Sequence, residues 1–386
     1  MKQRILFCVR DFNHGGIPKC LQQLLLFIDR ERYEVDIFCG DQRGAYRELL
    51  TNCNIIESNF LILLCLMNYR KESGFTRLLA IVVKLVRHLL LRFGVDILKL
   101  LLKREAGRRR GYSAAIAYAE GFPVDIVEWM ECERKLLWIH SNFQWKDASA
   151  QDMISDSVLS KFSTIVCVAN HIERSFLELY PSAMGRTTTL NNVMADREIV
   201  ELAASQEPLH PLFDNSGFTM LSIGRIAYPK DFDKIPKIVR LLKEMGIEDI
   251  KWYIIGPGPD AEVQLVVDNI AKNKVENEVV LLGAIMNPYQ YIKKSDLYVL
   301  TSQSEAYPTV INEAKILATP IVSTAFNGVE EIMSSEYGVI APIDELHQAI
   351  YKMYSDREYY AQCKANLGLF KQDNEALLQH FYELIS

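Results

Sequence analysis

Two glutamates, Glu305 and Glu313, flank the run Ala306-Tyr307-Pro308-Thr309-Val310. Carboxylates of this kind accept hydrogen bonds from hydroxyl groups. Part loop and part helix, the eight residues from one to the other span on the order of 10–15 Å. That reach would let them grip two hydroxylated parts of one long ligand, with phosphate between. The amides of Thr309 and Val310 would face outward with the positive end of a helix dipole, as an anion requires. An ordinary helix cap beside an exposed glutamate uses the same residues, and that reading stays open here.

Such a group needs a strand to carry it. Leu297 to Leu300 is apolar and β-prone and reads as a short buried strand. Pro308 then suits the first turn of a helix, where a missing N–H costs nothing. Strand, tight loop and helix start is the arrangement at which open α/β sheets bind ligands. A second strand, Thr219–Ile223, ends at Gly224-Arg225, and Lys230 follows five residues later. Taken alone, either cation suits a solvated surface charge equally well. Downstream come Thr319-Pro320-Ile321-Val322-Ser323 and then Asn327-Gly328-Val329-Glu330-Glu331.

As a set, these residues resemble the signature of family 4 retaining glycosyltransferases of the GT-B fold, including those that assemble bacterial capsular and exopolysaccharides. The resemblance covers nearly the whole chain, strongly over 218–342 and more loosely before 195. It implies an α/β protein of two Rossmann-like, doubly wound lobes facing each other across a cleft. The expected parts are a first lobe over 1–200, a linker over 201–217 marked by Pro208, Pro211, Asn215 and Gly217, a nucleotide-sugar lobe over 218–370, and a last helix, 371–386, returning to the first lobe.

The resemblance also assigns roles. A nucleotide-sugar carries two phosphates whose negative charge grows as the glycosidic bond breaks. Arg225, Lys230 and the Thr309 and Val310 amides become fixed donors aimed at that charge, with Ala306 and Tyr307 beside the donor. Glu313 would hold the ribose hydroxyls and Glu305 the donor sugar. Retention is implied, with no cofactor or metal and no Asp-x-Asp metal motif. Three positions where the family favours glycine differ: Asp231, Ala306 and Thr319. Gly256-Pro257-Gly258-Pro259 lacks the spacing of a dinucleotide fingerprint, and its prolines argue against a helix start.

In the first lobe, strand Arg4–Val9 leads through Gly15-Gly16 into a helix with Leu21, Leu24, Leu25 and Ile28 on one face. A Gly-Gly turn lets backbone approach a phosphate closely, or is simply a turn. Glu120-Gly121-Phe122-Pro123 partly echoes Glu305-Ala306-Tyr307-Pro308, which makes Glu120 and Gly121 acceptor-side candidates. His140 ends the strand Lys135–Ile139. The resemblance makes it face the reacting sugar, although Asn142 stands where the family often has Asp.

Residues 58–110 break the regular alternation, with twelve Lys and Arg against three acids, +9 in a chain of −6. The remainder is therefore near −15. Leu, Ile and Val fill the spaces between these charges, as in amphipathic helices that lie on anionic membranes, with Arg87, Arg92, Lys99 and Lys103 as expected contacts. Ordinary core helices with snorkelling cations fit the composition as well.

The length of 386 residues suits two domains, and the acidic balance argues against a general nucleic-acid partner. Eight scattered cysteines without a CxxC pair read as apolar residues of a reducing cytoplasm. Neither a signal peptide nor a membrane-spanning run is expected. The expected function is transfer from a UDP-sugar, more than a GDP-sugar, to a glycan or lipid-linked acceptor, peripherally at the inner face of the cell membrane. The alternatives are a nucleotide-sugar 2-epimerase on the same architecture and a non-catalytic nucleotide-sugar-binding scaffold.

Overall fold

A computed structural model describes residues 2–13, 15–69, 72–143, 154–205, 209–214 and 217–386. His14, Arg70, Lys71, Pro208 and Asn215 lie outside them. The chain forms two compact units, 1–193 with 374–386, and 194–373.

In the first unit, strands β1 (Gln3–Asp11), β2 (Tyr33–Asp41), β3 (Asn54–Glu57), β4 (Ala114–Ala117), β5 (Arg134–Ile139), β6 (Thr164–Cys167) and β7 (Thr187–Thr189) form one parallel sheet in the order β3-β2-β1-β4-β5-β6-β7. The central strands are covered on both faces, which is why Ile5 to Val9 reads as an unbroken apolar run. Helices α1 (Gly16–Phe27), α2 (Phe60–Leu66), α3 (Gly74–Leu91), α4 (Ile97–Gly107), α5 (Phe122–Val127), α6 (Asp156–Leu159) and α7 (Asn170–Leu179) connect the strands. Segment 58–110 is no appendage to this alternation. The chain leaves edge strand β3 and must cross back over the sheet to reach β4, and α2, α3 and α4 make that crossing.

The second unit repeats the plan with six strands: β8 (Phe218–Ile223), β9 (Ile250–Ile255), β10 (Val279–Gly283), β11 (Leu297–Leu300), β12 (Ile321–Thr324) and β13 (Gly338–Ala341), ordered β10-β9-β8-β11-β12-β13. Its helices are α8 (Asp196–Ala203), α9 (Ile235–Glu244), α10 (Asp260–Asn273), α11 (Tyr289–Lys294), α12 (Thr309–Ile316), α13 (Leu346–Ser355) and α14 (Arg357–Gly368). The expected linker at 201–217 is corrected. Residues from Met194 onward already belong to this unit, and Met194, Ile199, Ala203 and Phe213 are buried in one core with Leu221 and Tyr253. The apolar face of α8 is what draws the boundary back to 193/194. A second correction concerns Pro259. It caps α10 rather than preventing it, since a helix start has no use for the missing N–H.

Helix α15 (Asn374–Ile385) belongs to the first unit. Phe381 is fully buried against Phe7 and Trp138, with ring centroids 6.3 and 6.2 Å away. Tyr382 stacks on Tyr33 at 5.5 Å, and its hydroxyl accepts from the Asp29 amide at 2.8 Å.

Candidate functional site

Both sheets reverse strand order once, between β1 and β4 and between β8 and β11. At such a switch point the loops beyond the strand ends splay apart and leave room for a ligand. Gly15, Glu120, Gly121, Arg225, Lys230, Glu305, Ala306 and Tyr307 fall in these loops, Gly16, Thr309, Val310 and Glu313 lie on the helices that follow two of them, and His140 follows β5.

In the second unit, Lys230 lies in the loop after β8 and Glu305 in the loop after β11. Lys230 Nζ donates to Glu305 Oε1 at 2.5 Å across 75 positions of sequence. Ser302 Oγ donates to the same oxygen at 2.7 Å. Thr301 Oγ1 donates to the Lys230 carbonyl at 2.6 Å, and the Gln303 amide donates to the Pro229 carbonyl at 2.9 Å. The two loops are thus stitched together by backbone and side chain, with a half-buried ion pair at the junction. Thr301, Ser302 and Gln303 were not singled out in the sequence. Their signal is a polar run directly after an apolar strand, with Thr301 and Ser302 fully buried.

Arg225 is exposed beside Gly224. The loop that carries it is fixed from behind, for Gly224 N donates to the Ile255 carbonyl at 3.0 Å and Ile226 N to the Pro257 carbonyl at 2.8 Å. Here lies the use of Gly256, since a Cβ there would come within 1.8 Å of the Gly224 carbonyl oxygen. That glycine serves close approach of two backbones.

Helix α12 begins at Thr309 with Pro308 as its cap, so the Thr309 and Val310 amides have no partner within the helix. Glu313 is fully buried on that helix, and Asn312 donates to the Tyr307 hydroxyl at 3.2 Å. Lys315 anchors the helix by donating to the Ile332 carbonyl at 2.8 Å. Burial lowers this ammonium to about 8.

The three altered glycine positions have separate explanations. Asp231 holds a left-handed conformation, φ 53°, which explains a preference for glycine there. Its carboxylate accepts from Gln303 Nε2 at 2.7 Å and Lys234 Nζ at 2.5 Å. Beside Thr319 it is Ala318 that takes the left-handed φ of 53°, closing the end of α12. Ala306 is not among the residues of positive φ, so glycine is not required there by conformation.

The expected absence of an Asp-x-Asp run is also corrected. Asp231-Phe232-Asp233 is one, but the first carboxylate is bound by Gln303 and Lys234. Burial pushes the second carboxyl up, and Asp231 adds to the effect. Among the described residues no group of three or more His, Cys, Asp or Glu is placed to hold a metal ion.

In the first unit, Gly15 and Gly16 open α1 after β1, and the chain's own packing does not require them. Among the described residues a Cβ at Gly16 meets nothing within 4 Å, and one at Gly15 only Pro18 Cδ at 3.9 Å. Gly121 adopts φ 75° at the start of α5, a conformation that favours glycine. The Glu120 carboxylate is bonded within the fold. Its Oε1 accepts the amides of both His140 and Ser141 at 2.9 Å, which clamps the end of β5. Burial pushes the Glu120 carboxyl up, while those amides pull it down. His140 leans on the Tyr118 ring, centroids 5.1 Å apart. Its Nε2 is covered and has no hydrogen-bond partner among the described residues. Burial lowers the imidazole to about 3, so it is neutral at physiological pH.

The crossover helices alter the expected lipid contacts. Arg87 is paired with Asp96 at 3.1 Å, Lys99 approaches Glu128 at 3.9 Å, and Lys103 lies 4.5 Å from the centre of the Trp129 ring. Arg92 is exposed just past the end of α3. No helix among the described residues is long and apolar enough to cross a membrane.

Comparison with known proteins adds the following. Residues 210–367 match the family of glycosyl transferases group 1. An uncharacterized glycosyltransferase of Methanocaldococcus jannaschii is 26% identical over 54% of this chain and 52% of its own length. The chain thus matches about half the length of that relative. A putative teichuronic acid biosynthesis glycosyltransferase of Bacillus subtilis, TuaC, is 24% identical over 64% of this chain and 70% of its own. Among solved structures, Anabaena HepE in complex with UDP is 16% identical, covers 99% of both chains and has a TM-score of 0.68. The same protein has been solved with UDP-glucose. With two parallel-sheet units and these neighbours, the chain has the GT-B fold, and the match to the group 1 glycosyl transferases falls on its second unit.

Proposed function

We propose that the chain transfers a sugar from a nucleotide-sugar, a UDP-sugar in preference to a GDP-sugar, to a glycan or lipid-linked acceptor, with retention and without a metal. The observation that carries this reading is the Lys230–Glu305 pair at the switch point of the second sheet, inside the matched domain. The pair offers a built-in exchange. An arriving diphosphate draws the Lys230 ammonium to itself, and the freed Glu305 carboxylate accepts hydrogen bonds from the donor sugar's hydroxyls. Arg225 and the Thr309 and Val310 amides add positive charge where the departing diphosphate becomes more negative. Glu313 is assigned to the ribose hydroxyls, the Gly15-Gly16 turn to close backbone approach, and neutral His140 to the reacting sugar.

The UDP and UDP-glucose complexes of HepE support a UDP-sugar donor, and TuaC supports a role in surface polysaccharide assembly. A lipid-linked acceptor would place the enzyme on the cytoplasmic side of an anionic membrane. Calorimetry with UDP, GDP and ADP, repeated in chelator, tests the donor half. UDP should bind most tightly and equally well without divalent ions. A folded protein that binds none of the three is not this enzyme.

A further inference from the structure

Helix α3 packs inward through Leu79, Ala80 and Val83, which meet Leu64 and Met67. Its other side carries Phe75, Leu78, Val82, Leu85, Val86 and Leu89, each between 44% and 77% exposed. Steps of three and four residues keep these side chains on one stripe of the helix. Phe93, 75% exposed, extends the line past the helix end. Half of the exposed large hydrophobic side chains among the described residues lie between Phe60 and Leu100. A monomeric soluble protein rarely shows so continuous an apolar surface without a use for it.

Charge indicates what covers the stripe. Arg77, His88 and Arg92 are exposed along one border, and α3 holds no acidic residue. The nearby acids are already neutralised: Glu72 by Arg43 at 2.6 Å, Asp96 by Arg87 at 3.1 Å, and Glu105 by Arg108 and Arg109 at 2.9 and 3.0 Å. An apolar stripe edged with cations and cleared of free carboxylates complements the interface of an anionic bilayer. There apolar side chains sink below the headgroups while cations stay at the phosphates.

We infer that α3 is a membrane-binding helix that buries Phe75, Leu78, Val82, Leu85 and Leu89 in anionic lipid. This deepens the proposed function and rests on it for the purpose of binding, a lipid-linked acceptor. The apolar stripe and its cationic border are there whatever the acceptor is. Apolar insertion carries the attachment, because several cations of the segment are engaged within the fold.

Flotation of the full chain with vesicles of phosphatidylcholine, alone or with one-third phosphatidylglycerol, tests this. The chain should float with the anionic vesicles, and part of the binding should survive high salt, which screens charge but not apolar burial. Leu78→Ser/Leu85→Ser should lower partitioning by about tenfold or more, while calorimetry shows UDP binding unchanged and the protein folded. Failure of the wild-type chain to bind anionic vesicles overturns the inference. So does a double variant that partitions like wild type, which would mean adhesion elsewhere by charge alone. A concentration-dependent dimer that the double variant abolishes, without lipid binding, would assign the stripe to a second copy instead. Vesicle binding in a protein that ignores every nucleotide would sink the proposed donor and leave the membrane helix standing.

Discussion

The two sheets make the same return crossing and carry related motifs at the same place, yet they use a carboxylate in opposite ways. Glu120-Gly121-Phe122-Pro123 follows β4 and Glu305-Ala306-Tyr307-Pro308 follows β11, each the strand just across its switch point. Glu120 accepts two backbone amides and holds the end of the next strand. Glu305 faces a lysine from the other side of its own switch point. A carboxylate bound to backbone cannot change partners without unpicking the fold, whereas one paired with a long, half-exposed lysine can trade that cation to a ligand. The motif marks a position in the topology, and the partner decides whether the position is structural or functional. The crossings differ as well. Residues 284–296 suffice in the second unit, while 58–113 in the first unit include α3 and its exposed stripe.

The largest expected effect tests the exchangeable pair. Arg225→Ala and Lys230→Met should each lower turnover by about 10²–10³, the scale for losing one donor to developing charge. Arg225 is exposed, so its variant should melt like wild type. Lys230→Met leaves Glu305, 10% exposed, without its cation, so its melting temperature should fall as well. Steady-state kinetics beside thermal melting separates the two. Normal turnover in both folded variants would remove the diphosphate role.

The next pair of variants tests the contrast itself. Glu305→Gln should reduce turnover by roughly tenfold to a hundredfold with little change in melting. Glu120→Gln should do the reverse, costing about 1 kcal/mol of stability and leaving UDP affinity intact. Should Glu120→Gln abolish turnover while melting normally, the two carboxylates are alike after all.

The second unit was the more legible in sequence. Its strand at Leu297–Leu300 has the ends that its apolar run marks, Glu305, Arg225 and Lys230 lie in switch-point loops, and Glu313 lies inside the helix that follows. What escaped notice was β3, β7 and β13, short strands at sheet edges. An edge strand packs too little apolar surface to show a periodic signal, as Thr187–Thr189 does not. The Lys230–Glu305 pair was invisible for another reason: its members are 75 residues apart, and only the sheet order brings their loops together. For 58–110 the charge was legible but its pairing was not. Composition cannot say which cations fold back onto Asp96, Glu105 or Trp129.

A smaller effect separates the two glutamates of the second unit. If Glu313 holds the ribose, Glu313→Gln should weaken UDP binding by about tenfold, the cost of a hydroxyl losing a charged acceptor. Glu305→Gln should leave UDP itself almost untouched and act only on the sugar-bearing donor. Calorimetry with UDP and UDP-glucose distinguishes them, and the opposite pattern would exchange their roles.

The subtlest test returns to the first unit and to His140, which Glu120 holds through the backbone. Burial lowers its imidazole to about 3, against about 6.5 for a free histidine. Two consequences follow from that sign. In the folded protein the ring stays neutral from pH 8 down towards pH 3, so turnover should show no histidine-like step near pH 6.5. The unfolded chain does take up a proton there. His140 therefore withdraws stability as pH falls below about 6.5, and the loss is complete only near pH 3. His140→Gln removes the titrating group, so its stability should fall less steeply over that window than the wild type's. If His140 meets the reacting sugar, the same variant should lose turnover by about tenfold or more while UDP affinity stays constant. A shallower acid limb with full turnover would mean that His140, like Glu120, serves only the strand end. A rate profile that breaks at pH 6.5 in the wild type and not in the variant would show that the imidazole is open to protons, and the picture of a covered, neutral ring would have to be given up.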